Sequence, residues 1–342
     1  MPRRKNSTGT GDVGARRRAG VHRGSVQPIE RVIRSRGGFL RRRDLLALGF
    51  TDGHLRYALR RRRIFRVRQG WYSVPGFDDR AVRAVRVGGR LTSLSALESY
   101  GIRVPQGRPL HVAVPPNANR LRTPTDRRKR IGPRDAAVHW IDDRRGRSSW
   151  RVPLGEALLA VLIGESRDVA VACCSAALQL GLISGESLDR VFGTAPARVH
   201  RWRELVSDLD ESHGETFFRV HYVESGRTCT QQIVIPGVGR FDFRVSDHTY
   251  VEIDGGQHDP DWTGEAGSSW EHDLDRDAAM AIRGDRVLHF GYRQLYTAWP
   301  TVLAAIDRAV ADDEALAARR RRHPYRPRAQ RKRRRIASFT PP

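Results

Sequence analysis

The stretch "RFDFRVSDHTYVEIDGGQH", residues 240–258, decides how this chain is read. Phe241, Phe243 and Val245 alternate with Asp242 and Arg244, and further on Val251 and Ile253 alternate with Glu252 and Asp254. Period-two alternation marks a strand with one apolar and one polar face, so the two runs read as paired strands of one sheet. With the turn centred on Asp247, antiparallel pairing sets residue i opposite residue 494 − i, and Asp242 then faces Glu252. Opposed side chains have Cβ atoms about 4.5–5.5 Å apart, where like charges repel. Asp254 stands two residues on, on the same face. Three acids crowded on one face call for a positive partner, and a hard divalent cation with oxygen ligands is the economical one. The plain structural alternative is an edge hairpin whose polar face meets water, balanced by Arg240 and Arg244. One slip of register would part the acids.

Two neighbours extend the pattern. Upstream, "SHGETFFRV" places Glu215 near the start of a helix, within reach of a cation held by the hairpin. The spacing of Ser212 and Glu215 also fits a capping box. Downstream, His258 follows Glu252 by six residues, after Gly255 and Gly256 let the chain bend. A histidine beside three acids is a candidate for proton transfer or ligation.

At 342 residues the chain is long enough for two or more domains, and an α+β multi-domain protein is expected. Residues 1–28, rich in Gly, Ser and Arg, read as a disordered basic arm. In residues 29–76, "IERVIRSRGG" and "RRRDLLALG" are short amphipathic segments closed by glycine. Thr51 is an N-cap for a third helix from Asp52 to about Arg62, with Leu55, Ala58 and Leu59 at core spacing. "IFRVRQGWYSV" then reads as a hairpin around Gln69 and Gly70. Three helices and a hairpin make a winged helix-turn-helix, whose third helix would enter the DNA major groove. Arg56, Arg60, Arg61 and Arg63, with Arg66 and Arg68 on the wing, are the candidate DNA contacts; a solvated basic face is the alternative. Residues 77–200 read as a mostly helical connecting region, with helices at "LTSLSALESYGI", "GEALLAVLI" and "DVAVACCSAALQLGLI" and a strand at "PLHVAVP". The stretch from Pro115 to Pro133 reads as a loop. Residues 201–311 form the last ordered unit, and 312–342 a disordered basic tail.

Charge supports the nucleic-acid reading. The net charge is +24, and it is unevenly spread: residues 29–72 hold thirteen arginines against three acids, and 319–335 hold eleven basic residues and no acid. Such segments suit phosphate neutralisation by counterion release. Cys173, Cys174 and Cys229 show no zinc-ligand spacing and read as free thiols. No apolar run approaches the ~20 residues needed to span a bilayer, so a soluble cytoplasmic protein without membrane association is expected.

Two resemblances bear on these readings. Residues 37–76, "GGFLRRRDLLALGFTDGHLRYALRRRRIFRVRQGWYSVPG", resemble the N-terminal winged helix of AbiEi-type transcriptional regulators, the antitoxins of an abortive-infection system. Glu215, "QQIVIPGVGRFDFRV", "YVEIDGGQH" and "WEHDLDRDAAMAIRGDRVLHFGYRQL" resemble the very-short-patch-repair-like branch of the PD-(D/E)XK nucleases, over about a hundred residues. The second resemblance implies an α/β restriction-endonuclease-like domain with a central mixed sheet. It implies Mg²⁺ or Mn²⁺ held by Asp242 and Glu252, with Glu215 and the Ile253 carbonyl. His258 or Asp254 would act on the attacking water, and Arg276, between Asp275 and Asp277, would bind phosphate or an acid.

This sequence departs from the superfamily at one point. Asp254 stands at the lysine position, and no lysine occurs between Lys129 and Lys332. The expectation is a DNA-binding, metal-dependent endonuclease serving defence or DNA repair. The alternatives are a regulator or antitoxin with an inactive nuclease-like domain and a toxin partner, or an architectural DNA binder. RNA as substrate and a homodimer both remain open to the sequence.

Overall fold

The computed structural model describes residues 27–126, 128–141, 149–254 and 267–322, the side chains of 267–272 and 320 excepted. They form an α+β structure that divides into two units, Met1–Val82 and Arg83–Pro342.

The first unit runs α1 (Ile29–Ser35), β1 (Phe39–Arg41), α2 (Arg42–Ala47), α3 (Asp52–Arg60), β2 (Phe65–Arg68) and β3 (Trp71–Ser73). Thr51 does cap α3: its side chain accepts from the His54 N–H at 3.3 Å, and its own N–H donates to His54 Nδ1 at 3.2 Å. Leu55 and Ala58 are buried with Ile33, Leu45 and Ile64, and Leu59 packs at the margin of that core. The hairpin turns at Gly70, whose φ of 76° costs glycine nothing. β1 is an element the sequence did not announce, because three residues are too few for alternation to register. It pairs antiparallel with β3, giving the sheet order β1-β3-β2.

α4 (Asp79–Val87) leads into the second unit. There β4 (Arg90–Leu91), α5 (Ser93–Ser99), β5 (His111–Val114) and β6 (Ala137–Trp140) precede α6 (Leu154–Gly164), α7 (Arg167–Gln179), α8 (Gly185–Thr194) and a 3₁₀ helix, Ala197–Leu205. The expected helices and the strand β5 are present. β4 and β6 flank β5 in a small mixed sheet that was not anticipated. Cys173 and Cys174 are buried free thiols on α7, and burial pushes the Cys174 thiol up to about 12; Cys229 is free and half-buried.

The last part comprises α9 (His213–Glu224), β7 (Thr230–Ile235), β8 (Gly239–Arg244), β9 (Thr249–Asp254), α10 (Gly267–Arg283), β10 (Arg286–Gly291), α11 (Tyr292–Thr297) and α12 (Trp299–Arg322). Its sheet is mixed, in the order β10-β9-β8-β7: β10 runs parallel to β9, the other pairs antiparallel. One face packs Phe243, Val251, Ile253 and Phe290 against Phe218 of α9, Leu295 of α11 and Ile306 of α12. The other packs Phe241, Tyr250 and Ile235 against Met280 of α10. Each fully buried phenylalanine contributes roughly 1.5–3 kcal/mol relative to exposure.

Two expectations are corrected. The tail expected from 312 onward is helical as far as Arg322, because "DDEALAARRRR" is built of strong helix formers. Its Asp313 is buried and accepts hydrogen bonds from Ser246 and from Thr249, the latter at 2.7 Å, which ties α12 to the β8–β9 turn. Residues 323–342, like the arm 1–26, lie outside the described residues. The second correction concerns β8: Phe241 and Phe243 do not share a face. Both are fully buried, but in different cores on opposite sides of the sheet. The pleat therefore shifts by one residue at Asp242.

Candidate functional site

The shift has a structural cause in the pairing around Asp242. β7 and β8 pair from Thr230↔Arg244 to Ile235↔Gly239, and only Gln232, opposite Asp242, is left out of the ladder. On the other side, Phe243↔Val251 and Arg244↔Tyr250 follow the expected register of 494 − i. Beyond them the ladder stops, and Asp242 Oδ2 instead accepts the Ile253 N–H at 2.8 Å. Both ladders of β8 thus open at one residue, and that residue is an acid.

Glu215 approaches this opening from the first turn of α9. Gly214 lets the helix come close: a Cβ there would lie 2.8 Å from Ile253 Cγ2. Half of the expected capping box forms, with Ser212 Oγ accepting from the Glu215 N–H at 3.1 Å. The glutamate carboxylate accepts from the Glu211 N–H at 3.0 Å and from Gln232 Nε2 at 3.1 Å. Burial, and then the negative charge of Asp242, push Glu215 up to about 7. Burial also raises Asp242, partly offset by its bond from Ile253 N–H.

Glu252 belongs to a second group, on the side of α10. Its Oε1 is bound by Arg276, whose guanidinium also donates to the Arg240 carbonyl at 2.7 Å, contacts Asp273 at 3.4 Å and lies 4.6 Å from the centre of the Phe241 ring. Its pairing within the helix, to Asp273, is the lesser part of what this residue does. Gly239 makes room for it: a Cβ there would stand 2.9 Å from Arg276 Nε. Burial raises the Glu252 carboxyl even against the lowering effect of Arg276, as expected for a carboxylate withdrawn from water.

The same group holds a histidine that the sequence reading passed over. His289 on β10 lies directly across from Glu252 in the parallel register. Its Nδ1 is 3.6 Å from Glu252 and 3.5 Å from Asp254, and its Nε2 is 3.3 Å from Asp277. Asp254 and Asp277 raise it to about 9, so it carries a proton at neutral pH. The signal was available: His289 is the lone polar residue in the apolar run "VLHFG". His258, the histidine chosen from sequence, lies outside the described residues.

The three acids expected on one face therefore divide. Glu215 and Asp242 stand together, while Glu252 is bound by Arg276 and shares His289 with Asp254; the charge of Asp254 still helps to raise Asp242, and that of Asp242 to raise Glu252. Among the described residues no three His, Cys, Asp or Glu side chains form a group able to hold a metal ion. The Glu215 and Asp242 pair fits Mg²⁺ or Mn²⁺ in kind: hard oxygen donors whose mutual repulsion a cation relieves. Two carboxylates completed by waters and substrate phosphate are a common Mg²⁺ arrangement.

In the first unit, Arg56, Arg60, Arg61, Arg63, Arg66 and Arg68 are all exposed. Arg63 is tied to Glu30 at 3.3 Å. α3 itself is fixed to α2 by the two-pronged bond of Arg42 to Asp52, at 2.9 and 2.5 Å. No protein-family model and no curated protein matches the chain. Among the described residues no helix is long and apolar enough to cross a membrane.

Proposed function

We propose that the chain is a DNA-binding, metal-dependent phosphodiesterase: a winged helix-turn-helix like that of AbiEi-type regulators, joined to a PD-(D/E)XK-like domain of the very-short-patch-repair-like branch. The observation that carries this reading is the pair Glu215 and Asp242, a buried and a half-buried acid close enough to repel each other, where both ladders of β8 open. Like charges held together away from water are costly, and such pairs gather at sites of chemistry.

Glu215 and Asp242 would hold Mg²⁺ or Mn²⁺, which when bound polarises a scissile phosphate and lowers the pKa of a water. The chain's own residues do the rest. Protonated His289 supplies positive charge beside Glu252 and Asp254, on the strand next to the one where the superfamily carries lysine. Arg276 orients Glu252 and presents a guanidinium suited to a phosphate oxygen. The exposed arginines of α3 and the wing hold the duplex backbone.

The regulator reading keeps one specific observation in its favour, the occupation of Glu252 by Arg276. The test is incubation of the purified chain with supercoiled, linear and mismatched DNA, and with RNA, in Mg²⁺, Mn²⁺ or EDTA. Metal-dependent cleavage that Glu215→Gln and Asp242→Ala abolish is the expected result. Sequence-specific binding with no cleavage of any substrate would instead establish the regulator.

A further inference from the structure

We propose that Gln232 is a positioning residue of this site, its side-chain amide holding the Glu215 carboxylate in place beside Asp242; the inference rests on the metal-dependent reading above. Three features converge on Gln232. Its φ is 51°, in the left-handed region, although it lies in the middle of β7 and is not glycine. A side chain bearing a Cβ takes that conformation only when its surroundings impose it, and such strain gathers at functional sites. It is also the one residue that leaves the β7–β8 ladder, at the point opposite Asp242.

Its side-chain contacts show what the distortion achieves. Nε2 donates to the Leu209 carbonyl at 3.2 Å and to Glu215 Oε2 at 3.1 Å. The Leu209 carbonyl can only accept, so the amide faces the two neighbours with its nitrogen. Oε1 is then buried, with no hydrogen-bond partner among the described residues. A strand serving the fold alone would be better off with an extended, β-branched residue here, which would keep the ladder intact and bury no carbonyl. In an ordinary extended conformation the residue 232 side chain would follow the pleat and lose its aim at Glu215. Pinning the segment around Leu209 is the competing structural role, and the two roles predict different outcomes.

The test compares Mn²⁺ binding by the 342-residue chain, followed by calorimetry and by the paramagnetic resonance of free Mn²⁺, with thermal melting. Gln232→Asn tolerates the left-handed backbone but is one methylene too short to reach Glu215. It should weaken Mn²⁺ binding by about tenfold, the usual effect of losing a residue that orients a metal ligand. Its melting temperature should be unchanged or raised. Gln232→Gly, which relieves the backbone strain, should weaken binding equally without loss of fold. Glu215→Gln should weaken it too, and the double variant Glu215→Gln with Gln232→Asn should bind no worse than Glu215→Gln alone. If Gln232→Asn and Gln232→Gly bind Mn²⁺ like the wild type while Glu215→Gln does not, the positioning role is overturned and the proposed function stands. If wild type and Asp242→Ala alike bind no Mn²⁺, the proposed function falls and takes the role of Gln232 with it.

Discussion

Glu215 keeps its proton to about pH 7 and His289 to about pH 9, and the two raised values have separate consequences for stability. A group held more tightly by the folded than by the unfolded chain makes stability fall as pH rises between the two pKa values. For Glu215, whose ordinary value is 4.5, the window is 4.5 to about 7, and what appears there is a penalty for placing charge in a buried position beside Asp242. Glu215→Gln removes that penalty, so without metal its urea midpoint should exceed the wild type's increasingly from pH 4.5 to 7 and by a constant margin above. For His289, whose ordinary value is 6.5, the imidazolium stabilises fully below 6.5 and its contribution is lost as pH passes about 9. His289→Gln should therefore be clearly less stable than wild type at pH 6 and close to it at pH 10. A gap that widened with pH would mean that Asp254 and Asp277 do not hold the imidazolium. The acids were legible in sequence because alternation isolates them. Gln232 was not, and His289 showed only as a polar residue in an apolar run, since their partners lie in other elements and no local period ties them to Glu252 or Glu215.

Among the elements, α3 and α12 mark the two ends of what sequence can convey. α3 was readable to its cap, because Thr51, the spacing of Leu55 and Ala58, and the basic stretch after them are all local signals. Thr51→Ala should cost about 1 kcal/mol of stability by chemical denaturation, the ordinary worth of a helix cap. α12 was misjudged: its last turns are so rich in arginine that charge masked helix propensity, and the anchor Asp313 meets its partners more than sixty residues away. A chain ending at residue 311 should melt well below one ending at 322, because only the longer keeps the carboxylate that Ser246 and Thr249 require. Asp313→Ala in the longer chain should reproduce most of that loss, leaving the buried Thr249 hydroxyl without its acceptor at about 1–3 kcal/mol and the half-buried Ser246 hydroxyl without one at less. β1, β4 and β6 escaped notice for the opposite reason, being two to four residues long with neither the hairpin turn that marks β2 and β3 nor the apolar run that marks β5.

For the whole molecule, charge is the property that sequence conveyed best, since it needs no fold to be counted. Binding of duplex DNA should weaken linearly with the logarithm of salt concentration, and replacing Arg56 and Arg60 together by alanine should lower that slope by about 2. A slope left unchanged would remove α3 from the interface. The larger architecture was legible as an alternating β pattern between helices, but the single departure from that pattern, at Asp242, was invisible because Phe241 and Phe243 look like neighbours on one face. Their separation into two cores has a mechanical consequence. Strand pairs ordinarily fray from their ends, whereas β7 and β8 carry a seam partway along their length, from Gln232 to Asp242. Deuterium uptake in the native state should accordingly begin at that line before it reaches the flanking pairs Phe243↔Val251 and Ile233↔Phe241, so that this edge of the sheet opens mid-strand rather than from its tips.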